Sequence, residues 1–434
     1  MSLLGSTRVV IDDEVRPASI RIVEGTIVEI SAEAPDIDFG DLVVMPGLVD
    51  SHVHVNDPGR TEWEGFASAT RAAAAGGTTT IVDMPLNSIP PTVSVAALEA
   101  KQAAAAGNMA IDVAFWGGLI PGTADEIAPL VEAGVCGFKS FMVDSGVGEF
   151  PPVTKDELRQ ALPVMRDLGV PSLIHAEDPA RIEAVTGDPV EYASYLASRP
   201  VGAEAEAVDV VARLASDTGA LVHVLHVSSG EAVEVLANGP ETLSGETCPH
   251  YLTFCSEEIE NGATPFKCAP PIRSAEHREA LWNGLVDGAL RMVVSDHSPA
   301  PADIKHLEDG DFGRAWGGIG SLQLRLPATW TGASQRGISL TQMNRWLASE
   351  PARLAGLDRH KGQIAVGMDA DLVVWDPDGV TEVEGARLEH RHPTTPYEGM
   401  RLRGSVVTTI LAGTTVFDGE GVTGGNGRML RRDD

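Results

Sequence analysis

The chain has 434 residues, 43% of them hydrophobic, with 46 glycines and 28 prolines, a composition that supports a large core punctuated by loops and excludes disorder of the whole chain. Lys and Arg total 32 against 62 Asp and Glu, a formal charge of −30, which repels phosphate backbones and anionic lipid surfaces, so neither nucleic acid nor a membrane is expected as a partner. The four cysteines, Cys136, Cys248, Cys255 and Cys268, form no C-x-x-C pair, and no apolar stretch approaches the roughly 18 residues of a membrane span. A reducing cytoplasm is the expected setting; Ser2 and Leu3 are also open to being a cloning remnant.

Residues 1–45 open with short strand-like runs, Val9-Val10-Ile11, Ala18–Ile22 and Thr26–Ile30, separated by Gly and Asp turns. From about 46 to 300 the pattern changes, and β-rich segments alternate with Ala-rich helical ones. The strands centre on Leu48–Val55, Thr78–Met84, Ile111–Leu119, Val135–Met142, Pro171–Ala176, Leu221–Val227, Leu243–Leu252 and Arg291–Asp296. Thr123…Glu126 and Thr154…Glu157 read as capping boxes that open two of the helices. Eight repeats of one unit predict an α/β fold, a closed (β/α)8 TIM-like barrel over 46–363, with an open doubly wound sheet as the alternative on count alone.

After the eighth strand, 301–320 carries Gly310, Gly313, Gly317, Gly318 and Gly320, a candidate substrate loop over the barrel mouth. Residues 364–434 return to short strands, Ala370–Trp375, Ser405–Leu411 and Thr414–Phe417. Neither tail has enough alternating apolar residues to form a stable sheet alone, so 1–45 and 364–434 are expected to pair into one small β-sandwich domain.

The chemistry-bearing residues fall at strand ends. His52-Val53-His54 ends the first strand, and period-two alternation points both imidazoles to one side, a chelate geometry that an ordinary polar pair would share. His175, His226 and Asp296 fall at the C-terminal ends of later strands, where barrel active sites are built. Lys139 stands among apolar neighbours in Gly137-Phe138-Lys139-Ser140-Phe141, where an unpaired ammonium is costly. Pairing with a carboxylate such as Asp144 would satisfy it. Alternatively the neutral amine, favoured by desolvation, captures carbon dioxide and becomes a carbamate able to bridge two metals.

With these residues in view, the sequence resembles the cyclic amidohydrolases of the amidohydrolase superfamily, and among them the allantoinase group. The resemblance runs through Met45–His54, Asn56–Arg60, Met84–Asn87, Gly137–Lys139, His223–Ser229, Cys248–Tyr251, Lys267–Arg273, Ser295–Pro299, Ala315–Ile319 and Gly362–Leu372, nearly the whole chain. It implies that His52, His54 and Asp296 hold a more buried divalent metal, that His175 and His226 hold a more exposed one, and that carbamylated Lys139 bridges both. It further implies a metal-bridged hydroxide with Asp296 as general base, opening the ring of allantoin to give allantoate. Zinc is the first candidate, but this donor set suits cobalt, manganese or nickel as well. A homotetramer is implied too, as is a pocket lined by Asn87, Ala269 and Gly318, where Asn87 would serve equally as a turn residue.

Hydantoinases and dihydropyrimidinases share those ligands but carry a tyrosine five residues after the lysine, where Asp144 stands here. Dihydroorotases place an arginine close behind the H-x-H pair, where this chain has Asn56, with Arg60 displaced into the loop as a candidate surface salt bridge. A non-catalytic scaffold on the same fold would have lost ligands, and all six positions are filled. His250 and His297 are expected to support the site by hydrogen bonding, and Cys248 and Cys268 to be small buried hydrophobes.

Overall fold

The computed structural model describes residues 2–425 and 427–433. Eight parallel strands form the barrel: Leu48–Val53, Thr78–Asp83, Asp112–Phe115, Phe138–Phe141, Ser172–His175, Val222–Val224, Leu243–Thr247 and Met292–Val293. The third strand is interrupted at Trp116 and resumes as Gly117–Gly118, which pairs with the fourth. The ring closes where Val53 bridges His297 and the His54 N–H donates to the His297 carbonyl at 2.8 Å. This closure settles the barrel over the open sheet, because the two outermost strands are each other's neighbours.

The strands lie within the predicted segments, and the departures have local causes. The seventh ends at Thr247 because Pro249 opens a short helix, Pro249–Thr253, where a strand had been expected to continue. Thr154 and Glu157 form the expected capping box at Lys155–Asp167. Thr123 does not: its hydroxyl bonds back to the Ile120 carbonyl at 2.9 Å, and the turn Ala124–Glu126 starts without a side-chain cap. The Ser/Thr preference for local backbone partners allows either outcome, and Pro121-Gly122 just upstream supplies the competing turn.

Beside the barrel, both chain ends build one mixed sheet of eight strands. Its order is Thr414–Phe417, Arg401–Leu411, Leu372–Glu382, Val43–Pro46, Ser2–Ile11, Glu14–Val23, Thr26–Ser31, with Ile37–Asp38 paired to Ser2–Ile11. The tails interleave, Val374 standing opposite Val44, around a separate core that includes Val9, Ile20, Ile27, Val44, Leu372 and Ile410. The last residues leave this sheet. Arg428 and Leu430 exchange backbone hydrogen bonds with Val113 on the third barrel strand, both at 2.9 Å.

One buried ion cluster pins sheet to barrel. Lys361 Nζ lies 2.6 Å from Asp112 at the base of the third strand, 2.6 Å from Asp371 and 2.9 Å from Asp369, and Arg428 joins Asp112 and Asp369 from outside. Removing the ammonium would leave buried carboxylates facing one another, which typically costs about 3–5 kcal/mol. Lys361→Met is therefore expected to lower the thermal unfolding midpoint by on the order of 5 °C. An unchanged midpoint in differential scanning calorimetry would mean the cluster is not a fastening point.

Candidate functional site

All six predicted ligand positions meet at the C-terminal mouth of the barrel, with His52 as the hub. Its Nε2 stands 3.1 Å from Asp296 Oδ1 and 3.3 Å from Lys139 Nζ. Its ring centroid is 5.4 Å from that of His54 and 5.4 Å from that of His226. His54 Nε2 approaches the same Asp296 oxygen at 3.6 Å, and ligand atoms of His52, His54 and Asp296 all lie within 4.8 Å of one another. On the opposite side His175 Nδ1 faces His226 Nε2 at 3.0 Å. His226 and Asp296 both take left-handed backbone conformations, with φ of 39° and 45°, uncommon for such residues and found here just past the ends of two barrel strands.

Each ring is aimed by what it touches behind the site. His52 Nδ1 meets Glu246 Oε1 at 2.5 Å, and the other oxygen of Glu246 meets His223 Nε2 at 3.1 Å, in a fully buried array. His54 Nδ1 lies 3.0 Å from the Leu86 carbonyl, which only an N–H can satisfy, leaving Nε2 bare toward the centre. His175 Nε2 sits 2.6 Å from Glu177, and Arg199 clasps the same carboxylate at 3.0 and 2.5 Å. The His226 Nδ1 is buried with no hydrogen-bond partner.

Burial and neighbouring charges together set the ionisation of the site. It pushes the His54 and His226 imidazoles well below their usual range and the Lys139 amine down to about 8. Burial also opposes the charge on Asp296, Glu246 and Glu177, but neighbouring histidines, and Arg199 beside Glu177, outweigh it. Asp296 is held well below the carboxylate range, and Glu246 and Glu177 at about 2. Lys139 makes no ion pair among the described residues; its head rests 4.8 Å from the Phe141 ring centroid, while exposed Asp144 accepts the Gly146 N–H. The carboxylate pairing considered for Lys139 is thus absent. Bare imidazole nitrogens turned toward one another, an ionised carboxylate and an amine inclined to neutrality make a donor set that fits divalent transition-metal ions.

Above the six lies a cavity of about 800 Å³ whose lining includes Asn87 and Ala269. The Asn87 amide donates to Asn56 at 2.9 Å, and its backbone carbonyl accepts from Arg60 at 2.6 Å. Arg60 is also paired with Glu149 and lies over the Trp63 ring, so it is a loop fastener more than a surface salt bridge. Gly318 stands one step behind the wall: its N–H donates to the Lys267 carbonyl, its carbonyl accepts from Lys305, and Gly317 faces the cavity. A Cβ at Gly318 would strike the Ser298 carbonyl, which explains a glycine there.

His297 bonds Glu64 at 3.2 Å and accepts from the Ser321 and Leu322 N–H groups, a supporting position. His250 packs on Tyr251 with both ring nitrogens buried and unpartnered, near Cys248 and Asp296. Cys248 and Cys268 are buried, and their thiols are pushed up by burial, Cys268 to about 12, as inert core sulfurs should be. Sequence reasoning missed Glu246, Glu177 and Arg199. Two of them carried a signal: Glu177 follows His175 by two residues, and Glu246 is an acid inside a buried strand, where a charge demands a partner.

The amidohydrolase family profile matches residues 43–416. The chain is 47% identical to the allantoinase of Streptomyces avermitilis, over 99% of this chain and 98% of that one. It is 42% identical to the allantoinase of Arabidopsis thaliana, over 96% and 88%. Among solved structures it superimposes on the L-hydantoinase (dihydropyrimidinase) of Arthrobacter aurescens with a TM-score of 0.92 at 32% identity, covering all of both chains.

Glu246 backs a ring of the site without reaching its centre, so Glu246→Gln should weaken divalent-metal affinity by about 10–100-fold. Metal content after dialysis against a graded chelator series measures this, and retention equal to wild type would remove Glu246 from the account.

Proposed function

Because the chain belongs to the amidohydrolase family, we propose that its mouth site hydrolyses the cyclic amide of allantoin, giving allantoate. The observation that carries this reading is the convergence of His52, His54, Lys139, His175, His226 and Asp296 on one buried point beneath a cavity large enough for a small ureide. The enzyme is a metal-dependent hydrolase of a small-molecule substrate. In the proposed assignment His52, His54 and Asp296 would hold one divalent ion and His175 and His226 a second, and Lys139, carbamylated by carbon dioxide, would supply oxygen ligands to them. Zinc is the first candidate. When bound, such ions lower the pKa of water toward ~7 and polarise an amide carbonyl.

The protein's own side chains do the rest. Asp296, ionised and 3.1 Å from His52, accepts a proton from the water that attacks the ring carbonyl next to the ureido-bearing carbon. It then returns that proton to the departing ring nitrogen as the carbon–nitrogen bond breaks, so water is consumed and one carboxylic acid and one N–H are formed. Glu246 and Glu177 hold His52 and His175 in orientation. Asn87 and Ala269, with the backbone at Gly317 in front of Gly318, offer peptide-like donors and acceptors that match a ureide. The division into 1–45, 46–363 and 364–434, a homotetramer and a cytoplasmic location complete the proposal. Among the described residues no helix is long and apolar enough to cross a membrane.

A hydantoin or dihydropyrimidine substrate is the second reading, favoured by the superposition on the Arthrobacter aurescens enzyme. Assays with allantoin, hydantoin, dihydrouracil and dihydroorotate should show allantoin with the highest kcat/KM; faster turnover of dihydrouracil or hydantoin would move the chain to that reading. Lys139→Ala should lose metal bridging and at least 10³-fold in kcat, on the order of what one key electrostatic group contributes. Acetate should restore part of the lost turnover. Full activity in the variant without added carboxylate would end the carbamate assignment.

A further inference from the structure

The glycine-rich run Gly313–Gly317 lines the cavity, and two buried lysines bond to its carbonyls, Lys267, which also lines the cavity, and Lys305 behind it. Lys267 Nζ donates to the Ala315 carbonyl at 2.6 Å and reaches the Gly313 carbonyl at 3.3 Å, with the Tyr195 ring centroid 5.0 Å away. Lys305 Nζ donates to the Gly318 carbonyl at 2.8 Å, the Trp316 carbonyl at 3.0 Å and the Lys267 carbonyl at 3.4 Å. Neither lysine forms an ion pair among the described residues, although 9% and 2% exposure would ordinarily demand one. We propose that Lys267 and Lys305 are positioning residues whose heads hold Gly313–Gly317, with Gly318 tied in behind it, as a preformed wall of the substrate cavity, an inference that rests on reading this cavity as the place where allantoin is hydrolysed.

The choice of residue type follows from the geometry. Three carbonyls converge on the Lys305 nitrogen, and an ammonium has three N–H donors and no acceptor, so it alone among short-range donors satisfies all three from one point. The carbonyls of Ala315, Trp316 and Gly318 are thereby committed to the two lysines. The Lys267 carbonyl ties the same strip twice, accepting from Lys305 and from the Gly318 N–H at 2.9 Å. A stretch with glycine at 313, 317 and 318 has wide backbone freedom, and without these bonds it would have to be ordered anew each time substrate binds. Burial pushes both amines below their usual value, to about 8 for Lys267, where Arg199 adds to the effect and Asp311 partly offsets it, and to about 7 for Lys305.

Lys305→Met and Lys267→Met keep the stem and delete the donors. Each is expected to raise KM for allantoin at least tenfold with kcat changed less than threefold, at unchanged metal content. Each should also become cleavable by trypsin after exposed Arg314, which the wild-type chain should resist. Wild-type KM together with trypsin resistance in both variants would overturn the proposal, as would a fall in kcat at constant KM. Where Lys305→Met is not recovered folded, Lys267→Met carries the same test. The trypsin readout needs no turnover, so it still decides the role of the wall if the wild-type chain fails to hydrolyse allantoin.

Discussion

The site depends on one constraint: a cluster of ionisable groups must stay buried without neutralising itself in the wrong way. In a low-dielectric interior an unpaired charge is expensive, and groups escape by shifting their pKa or finding a partner. His52 shows how the two are combined. Its rear nitrogen is committed to Glu246, itself stabilised by His223, so its front nitrogen can face only Asp296 and Lys139. Remove the rear carboxylate and the ring is free to take its proton on either nitrogen, with nothing left to choose the tautomer that exposes a lone pair.

The barrel separates that chemistry from the forces that hold the fold together. At the base, Lys361 draws Asp112, Asp369 and Asp371 together and joins the sheet of the two chain ends to the third strand. Those three carboxylates have the spacing of a metal site, yet a lysine and an arginine already pair with them. At the mouth the arrangement is inverted: imidazoles and a carboxylate surround a lysine that makes no ion pair among the described residues. Acids around a satisfied cation make a fastening, whereas bare donors around an amine inclined to lose its proton make a site suited to cations.

Much of this was legible in the sequence because two periodicities carry it. Alternation of strand and helix located the eight strands, and period two within a strand put His52 and His54 on one side. The meaning of Glu177 was available by the same rule, two residues after His175, but a carboxylate that backs a ligand has no signature apart from the ring it touches. Contacts made across the barrel were not legible at all. The partnership of Lys305 with three carbonyls, the placing of Gly317 in front of Gly318, and the return of Arg428 to the third strand depend on loop paths that side-chain pattern does not encode. Thr123 illustrates the converse, a local motif present in sequence that a neighbouring Pro-Gly turn diverted.

The fate of the cations around the mouth bears on what the cavity selects. Arg60 is taken by Glu149 and the Asn87 carbonyl, Arg199 by Glu177, and exposed Arg314 by Asp309. Lys267 and Lys305 are spent on backbone carbonyls, and Lys139 belongs to the ligand cluster. A substrate that carries its own carboxylate would find no uncommitted guanidinium or ammonium among the described residues to receive it, and would meet Asp296 held ionised by the histidines. A neutral ureide faces no such penalty, because its alternating N–H and C=O groups ask only for dipoles, which amides and peptide groups along the wall can supply. Charge commitment therefore argues for allantoin over dihydroorotate independently of sequence likeness. It also explains how a chain with a net charge of −30 can use a small polar substrate without a steering field: the binding is short-range, between dipoles set in place before the substrate arrives.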